Sequence, residues 1–173
     1  SGEPSFGNMV EMPRRREDVQ GGNPCFEILL RDRGVCNLTE VNMMAFVNED
    51  GSFDKELLLQ AQSLSAIMGY RMATIDLELN KWNNVNIEDR LTGCSLTGVM
   101  DFVNAINIDK ADFSLLLQEL RKVATESANQ LAESLGLNKP KLVTCVKPSG
   151  TISQLPTVSS GVHFSHSPYY IRR

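Results

Sequence analysis

The chain has 173 residues, of which 42% are hydrophobic and 22% charged, with a formal net charge of −4. This length can bury the core of one domain, and the acidic balance argues against binding nucleic acid by bulk charge. No apolar run approaches the roughly 18 residues that span a membrane, and the polar N-terminus with Pro4 does not resemble a signal peptide. We therefore expect a cytoplasmic protein with no membrane segment.

The N-terminal part predicts turns and short extended segments. Residues 1–10 are typical of a turn that leads into a short strand. Three arginines at 14–16 are followed at once by two acidic residues, which favours a solvated turn over the alternative of a phosphate or partner contact. Gly21 and Gly22 predict a flexible approach to the residues that follow, and 31–34 predicts a charged turn.

A strand and then a helix are predicted next. Alternating polarity over 35–43 favours a strand, and 48–51 is a strong turn signal. Ser52 is a candidate N-cap, and Gly69 predicts the end of the helix that it would begin. The apolar residues that recur at helical spacing are Leu57, Leu58, Ala61, Leu64 and Met68.

The next segments are shorter. A second helical stretch is expected through Met72 and Ile75, and Asn83-Asn84 predicts a loop. Residues 91–100 are small, apolar and glycine-rich, which favours a buried strand and a turn, and 101–106 predicts a short helix.

The strongest helix signal covers residues 111–135. Gly136 is its candidate C-cap, Pro140 closes the unit, and 142–146 then predicts a strand. One face of this helix carries Phe113, Leu116, Leu117, Leu120, Ala124, Leu131 and Leu135. Strands that alternate with helices indicate an α/β protein with parallel strands.

The segment 147–153, Lys-Pro-Ser-Gly-Thr-Ile-Ser, follows that last strand directly. Backbone N–H groups and hydroxyls at such a turn suit a phosphate. The P-loop pattern is missing, and an ordinary helix N-cap would explain the same residues. The candidate phosphate-binding residues are Pro148, Ser149, Gly150, Thr151, Ile152 and Ser153.

The cluster Asn23-Pro24-Cys25-Phe26-Glu27 alternates an amide, a thiol and a carboxylate. If the backbone is extended, Asn23, Cys25 and Glu27 point to the same side, where they could hold a diol, react with it and move its proton. A buried cysteine beside a loop proline, with an exposed glutamate, is the alternative. Cys36 follows eleven residues after Cys25 and could exchange electrons.

The four cysteines show no zinc-type spacing, so we predict no metal ligands in this chain. In a reducing compartment these thiols are reactive or simply buried. A Cys–His pair with His163 or His166 is possible only through the fold, and both histidines are more typical of loop residues.

Several motifs occurring in one order resemble the catalytic subunit of ribonucleotide reductase, most closely its adenosylcobalamin-dependent, class II form. Asn-Pro-Cys-x-Glu is followed by a Gly-Val-Cys-Asn-Leu-x-Glu segment that contains Cys36. The other matching segments are Ser1-Gly2-Glu3-Pro4, Leu96-Thr97-Gly98-Val99-Met100-Asp101, Lys147-Pro148-Ser149-Gly150-Thr151, Ser160-Gly161-Val162-His163 and Tyr169-Tyr170-Ile171-Arg172-Arg173. The resemblance covers essentially the whole chain.

The resemblance implies a role for each site residue. Cys25 would become a thiyl radical and abstract the ribose 3′-hydrogen, and Glu27 would be the general base on the 3′-hydroxyl. Asn23 would orient the sugar hydroxyls. Cys36 would be one of two thiols that reduce the 2′-position and become a disulfide. Residues 148–153 would bind the substrate phosphates.

The resemblance also implies the fold and the partners. Residues 1–173 would be a single fragment of a ten-stranded α/β barrel, with a central finger loop at about 20–36 and a phosphate-binding turn at about 147–153. A second polypeptide would supply the N-terminal half of the barrel and the redox partner of Cys36. Adenosylcobalamin, bound mainly by the complete assembly, would generate the radical, and a thioredoxin-like protein or small thiol would supply electrons.

Two positions depart from the family pattern. The residue after the radical cysteine is often small, whereas here it is Phe26, which would pack against the barrel wall or narrow the site. Cys94 and Cys145 stand where the family commonly has core residues, so we expect buried structural thiols. The alternatives to a class II fragment are a class I-type reductase fragment, a non-catalytic nucleotide-binding module, and a thiol redox protein that joins Cys25 to Cys36.

Overall fold

The structure, a computed structural model, describes residues 6–167, 169 and 171. The motif at Ser1–Pro4 and most of the Tyr-Tyr-Ile-Arg-Arg ending therefore lie outside the described residues. The elements in chain order are α1 (Met12–Arg15), β1 (Gly21–Gly22), β2 (Leu29–Leu30), β3 (Asn37–Asn42), a 3-10 helix (Met43–Phe46), α2 (Lys55–Ala73), α3 (Asn80–Asp89), β4 (Thr92–Thr97), α4 (Val99–Ile106), α5 (Lys110–Leu135) and a second 3-10 helix (Gly150–Gln154).

A parallel sheet organises the fold. Strands β3 and β4 pair in parallel, from Asn37 opposite Thr92 to Asn42 opposite Thr97. The segment 142–146, predicted as a strand, runs parallel to β4 as a third extended segment of the sheet. It pairs with β4 through one isolated parallel bridge, between Cys94 and Thr144. The prediction of an α/β fold with parallel strands is confirmed.

Helices α2 and α5 cover one face of this sheet, which we name the helical face. The buried side chains between sheet and helices fall into two clusters. One contains Val41, Met43, Leu58, Val99, Phe102, Leu116 and Leu120, and the other contains Ala66, Tyr70, Cys94, Ala124, Ala128, Ala132 and Val143. Alanines on α5 allow the two helices to approach each other closely. Because both helices lie on the helical face, the opposite face of the sheet is available to other segments.

Helix α2 differs from its prediction at both ends. Asp54, not Ser52, is the N-cap, and its carboxylate accepts a hydrogen bond from the Leu57 N–H at 2.9 Å. Gly69 does not end the helix, which runs unbroken to Ala73. A Cβ at Gly69 would lie 3.5 Å from the Thr92 side chain, an ordinary packing distance, so this position faces the sheet within a continuous helix.

The buried side of α2 agrees with its prediction only in part, since Leu58 is buried but most of the predicted apolar stripe is not. The sheet-facing residues are mainly small or polar: Leu58, Gln62, Ser65, Ala66, Gly69, Tyr70 and Ala73. Three residues of the predicted apolar stripe, Leu57, Leu64 and Met68, are instead exposed, the last two by 60% and 61%. Small residues pack closely on a sheet, and the larger apolar residues therefore face outward.

Two further predictions concern the helices that flank β4. Asn83 and Asn84 lie inside α3, so the predicted loop is wrong. The Asn83 side chain accepts a hydrogen bond from the Leu77 N–H at 3.0 Å, which stabilises the start of this helix. The predicted span of α5 is confirmed, including Gly136 as a left-handed C-cap with φ of 64°. Its predicted apolar face is confirmed only in part, because Leu117 and Leu135 are exposed. Within the described residues, no helix is both long and apolar enough to cross a membrane.

Candidate functional site

The residues around Cys25 form a β-hairpin. Strands β1 and β2 pair antiparallel as its stems. The chain turns between Asn23 and Phe26, where the Phe26 N–H donates to the Asn23 carbonyl oxygen at 2.8 Å. The Asn23 side-chain oxygen accepts a second hydrogen bond, from the Ile28 N–H at 3.0 Å. We name residues 21–30 the finger hairpin.

This turn changes the expected arrangement of the amide, thiol and carboxylate. The extended backbone that would align Asn23, Cys25 and Glu27 is absent from the finger hairpin, so that expectation is wrong. Cys25 lies at the tip as an exposed, free thiol. Glu27 is half-buried, and its Oε2 atom is buried without a hydrogen-bond partner. The Cys25 thiol is therefore accessible. The Oε2 atom of Glu27 has no hydrogen-bond donor in the protein, and a substrate hydroxyl could be that donor.

Phe26 is accommodated by two glycines. It has a φ of 62°, the left-handed region that side chains rarely adopt. A Cβ at Gly22 would lie 3.0 Å from its ring, and a Cβ at Gly7 would lie 3.1 Å from the ring edge. The bulky residue therefore packs on the hairpin and on the N-terminal segment.

Gly93 marks where the finger hairpin touches the sheet. A Cβ at this position would lie 2.9 Å from the Ile28 side chain, 2.9 Å from the Cys145 sulfur and 2.5 Å from Leu38. A glycine in a strand commonly marks such close approach. The finger hairpin therefore lies against the face opposite α2 and α5, which we name the inner face.

Two thiols share this region with Glu27. Burial raises the pKa of the Cys36 thiol, and the negative charge of Glu27 raises it further. Burial, followed by the Glu27 charge, likewise raises the pKa of Cys145 to about 12. The charge of one carboxylate thus reaches both thiols, and both are held in the protonated form that can donate a hydrogen.

A cavity of about 830 Å³ adjoins this region. Glu27 and Cys145 line it together with Arg14, Arg15 and Arg121. Three guanidinium groups favour an anionic occupant. The phosphate-contact alternative for the arginine run therefore stays open for Arg14 and Arg15.

The predicted phosphate turn is held from within by a buried carboxylate. Glu40 on β3, whose side chain is 5% exposed, accepts hydrogen bonds from the Ser149 hydroxyl and from Lys147 Nζ, the latter at 3.2 Å. The Ser153 hydroxyl is also internal and donates to the Gly150 carbonyl oxygen at 2.8 Å. Of the hydroxyls in the turn, that of Thr151 belongs to an exposed residue.

The family model described as "Ribonucleotide reductase, barrel domain" matches residues 8–109. This chain belongs to the ribonucleotide reductase barrel-domain family. The match covers the finger hairpin, both regular parallel strands and helices α1 to α4.

Curated relatives extend this reductase similarity beyond the matched range. An adenosylcobalamin-dependent ribonucleoside-triphosphate reductase of Euglena gracilis is 29% identical and aligns over 100% of this chain, but over 24% of its own length. A probable reductase of the same description from Dictyostelium discoideum is 30% identical, over 98% of this chain and 22% of its own. This chain thus spans about a quarter of the length of these relatives.

Solved reductase structures show the same fold. A crystal structure of a B12-dependent (class II) ribonucleotide reductase has a TM-score of 0.77 at 24% identity, over 87% of this chain and 23% of that chain. The class Id reductase alpha subunit of Actinobacillus ureae has a TM-score of 0.63 at 19% identity, over 92% of this chain and 35% of that chain. The fold is therefore that of part of the reductase barrel.

The reductase motifs did not reveal every residue at this site. Cys145 was expected to be a buried core thiol, but it is partly exposed and lies beside Gly93. Only the register of the parallel strands could have placed it there. Cys94 is buried on the helical face, as predicted, and accepts a hydrogen bond from the Thr39 hydroxyl at 3.4 Å. Among the described residues, no group of three or more histidine, cysteine or acidic side chains could hold a metal ion.

We expect Glu40→Gln to destabilise this reductase chain by about 1–3 kcal/mol, because it leaves Lys147 without its buried counter-charge. The free energy of unfolding in urea measures this effect. Lys55→Gln is the matched control, since Lys55 pairs with Glu119 at the surface, and we expect a change within about 0.5 kcal/mol. Equal losses in the two variants would contradict a structural role for Glu40.

Proposed function

We propose that this chain is part of an adenosylcobalamin-dependent ribonucleotide reductase and carries its radical thiol. The observation that carries the proposal is the exposed Cys25 at the tip of a hairpin that lies on the inner face beside Glu27 and two further thiols. Relatives described as adenosylcobalamin-dependent ribonucleoside-triphosphate reductases support it.

Three residues of the finger hairpin have distinct roles in the proposed reaction. Cys25, as a thiyl radical, removes the ribose 3′-hydrogen, and Glu27 takes the proton of the 3′-hydroxyl through its unpartnered Oε2. The side-chain oxygen of Asn23 is engaged by Ile28, so its amide nitrogen is the group that orients a sugar hydroxyl. These steps leave the substrate ready to lose its 2′-hydroxyl.

Reduction at the 2′-position needs two thiols. Cys36 supplies one, and the pair gives two electrons and two protons, so that the 2′-hydroxyl leaves as water and a disulfide forms. The protonated state of Cys36 suits this hydrogen donation. We propose that the second thiol and the rest of the barrel lie outside these 173 residues, and that a thioredoxin-like protein or small thiol then reduces the disulfide.

The phosphates are proposed to lie at 147–153. Glu40 and the internal serine hydroxyls keep the shape of this turn, and the Gly150 and Ile152 N–H groups donate to carbonyl oxygens within it. The exposed Thr151 is therefore the contact that we propose for the phosphates. The exposure of the Cys25 thiol at the hairpin tip would let a bulky group such as adenosylcobalamin reach it. When bound, the cofactor supplies the radical chemistry that removes a hydrogen atom from a thiol.

We expect Cys36→Ser to stop product formation that depends on the protein's own thiols, while 3′-hydrogen exchange continues, because Cys36 acts after hydrogen abstraction. The measurement uses the assembled reductase, with a ribonucleotide and adenosylcobalamin but no external reductant. Disulfides are mapped by mass spectrometry after turnover in the parent protein. Loss of 3′-hydrogen exchange in Cys36→Ser, or a parent disulfide that omits Cys36, would contradict its assigned step.

The same experiment, run with and without adenosylcobalamin, separates the competing functions. A non-catalytic nucleotide-binding module would bind ribonucleotides without any exchange at the 3′-position. A simple thiol redox protein would join Cys25 to Cys36, which are both free thiols here. A class I-type fragment would reduce ribonucleotides without adenosylcobalamin.

A further inference from the structure

The stems of the finger hairpin are too short to hold it alone. Strands β1 and β2 have two residues each, and an isolated two-stranded hairpin is marginal in water. The flanking Gln20 N–H adds one bond to the Leu30 carbonyl oxygen at 2.8 Å. A fixed position for the tip therefore requires contacts from other elements.

Arginine side chains from either side of the two stems meet at one buried carboxylate. Asp89, the last residue of α3, is fully buried. Arg16, which precedes the first stem, donates to its Oδ2 at 2.6 Å. Arg31, which follows the second stem, lies 3.2 Å from its Oδ1 as an ion pair. Lys141 lies 3.1 Å from the same oxygen and precedes the third extended segment of the sheet.

Arg16 connects these parts further. Its Nη1 donates to the Leu29 carbonyl oxygen at 3.0 Å, on the second stem. Its Nε donates to Asp18 at 2.7 Å, and Asp18 also accepts from Lys141 at 3.0 Å. The hydrogen bond from Arg16 holds the pKa of the Asp18 carboxyl well below its usual range. We name Arg16, Asp18, Arg31, Asp89 and Lys141 the stem clamp.

The burial of the stem clamp favours a geometric role over a purely stabilising one. The Arg16 side chain is 3% exposed and that of Asp89 is 0% exposed. Desolvation offsets much of the attraction in such pairs, so hydrophobic replacements are often as stable. A charged cluster joined to both stems restricts the hairpin to one direction, since each guanidinium must meet its oxygens in a fixed fork.

We propose that Asp89 is a positioning residue for the Cys25 thiol, because it fixes both stems of the finger hairpin against the sheet. This inference rests on the proposed function. Asp89 contacts Arg16, Arg31 and Lys141 rather than the tip, so it acts through the hairpin. A misplacement of about 1 Å at a reacting group can cost on the order of a hundredfold in rate.

The test is Asp89→Asn in the full-length reductase, which keeps the side-chain shape and removes the charge. We expect kcat to fall by about tenfold or more, while KM for the ribonucleotide stays within about twofold. Hydrogen exchange of residues 21–30 should accelerate with that of β3 and β4 unchanged. The rate of Cys25 alkylation should also change.

Glu133→Gln is the matched control. Glu133 is 61% exposed and pairs with Lys139 at 2.6 Å, away from the stem clamp, so we expect parent values of kcat and of hairpin exchange. A folded Asp89→Asn protein with parental kcat would overturn the proposal. Exchange that accelerates equally in the finger hairpin and in β3 and β4 would overturn it as well, since that pattern indicates general destabilisation.

A second variant decides the case in which Asp89→Asn does not fold. Lys141→Gln changes a side chain that is 43% exposed, and we expect the same pattern with a smaller fall in kcat, of about threefold. A folded Lys141→Gln protein with parental kcat and hairpin exchange would overturn the proposal. If the parent protein does not reduce ribonucleotides, the proposed function fails, and hydrogen exchange in these variants alone decides whether the clamp holds the hairpin.

Discussion

Cys25→Ser is expected to lower ribonucleotide reduction by the assembled reductase by on the order of ten-thousandfold or more, because a serine hydroxyl does not form a radical that can remove the 3′-hydrogen. Binding of the ribonucleotide should change little, since the substitution replaces one atom at an exposed tip. Turnover, 3′-hydrogen exchange and the Kd for the ribonucleotide are the three measurements. We expect the parent protein to give a radical signal by electron paramagnetic resonance when adenosylcobalamin is added, and we expect the variant to give none.

Cys94→Ser is the matched control for this experiment. Cys94 is also a free thiol, but it is buried on the helical face. We expect it to keep parental turnover and its 3′-hydrogen exchange. Activity retained in Cys25→Ser would remove the radical role from Cys25, and a loss of equal size in Cys94→Ser would show that any thiol loss disturbs the protein.

Glu27→Gln is expected to lower turnover by about a hundredfold to ten-thousandfold, the usual contribution of a general base. The glutamine keeps the size of the side chain and cannot accept the 3′-hydroxyl proton. Substrate binding should be weakened less than turnover, because an amide oxygen can still accept a hydrogen bond. Equal losses in kcat/KM and in ribonucleotide affinity would instead assign Glu27 to binding alone.

The same variant makes a prediction about pH. Burial is the larger cause of the raised pKa of Cys36, and the charge of Glu27 is the smaller one. Glu27→Gln removes only the second cause, so the pKa of Cys36 should fall but remain above the ordinary value. Alkylation proceeds through the thiolate, so the pH at which Cys36 reacts at half its maximal rate should move down. A profile that does not move would show that the charge is screened from the thiol.

The sequence predicted the regular, strongly periodic elements well. Helix α5 carries a long helical pattern with clear ends, and β4 lies in a short run of small residues, so local chemistry indicates both. The sheet-facing side of α2 could not be predicted from large apolar residues, because Gln62, Ser65 and Gly69 pack on the sheet there. Close approach between elements depends on both partners, and the sequence pattern of one helix contains only one of them.

The candidate site shows the same division. Cys25, Glu27 and Cys36 were identified from short motifs, but the turn at the hairpin tip is set by backbone hydrogen bonds that the motif does not show. The prediction of a solvated turn is wrong for Arg16, which is buried. Its burial depends on Asp89, which lies 73 residues further along the chain. Such long-range pairs are invisible to local patterns.

The alternation of side chains in the parallel sheet has a consequence for how this protein can evolve. Thr39 and Cys94 face the helices, whereas their neighbours Leu38 and Gly93 face the finger hairpin. Substitutions that repack the helical face can therefore accumulate without changing the packing of the inner face. Lineages that share the reacting residues can differ widely in their helices, and sequence identity between them can fall far while the chemistry persists.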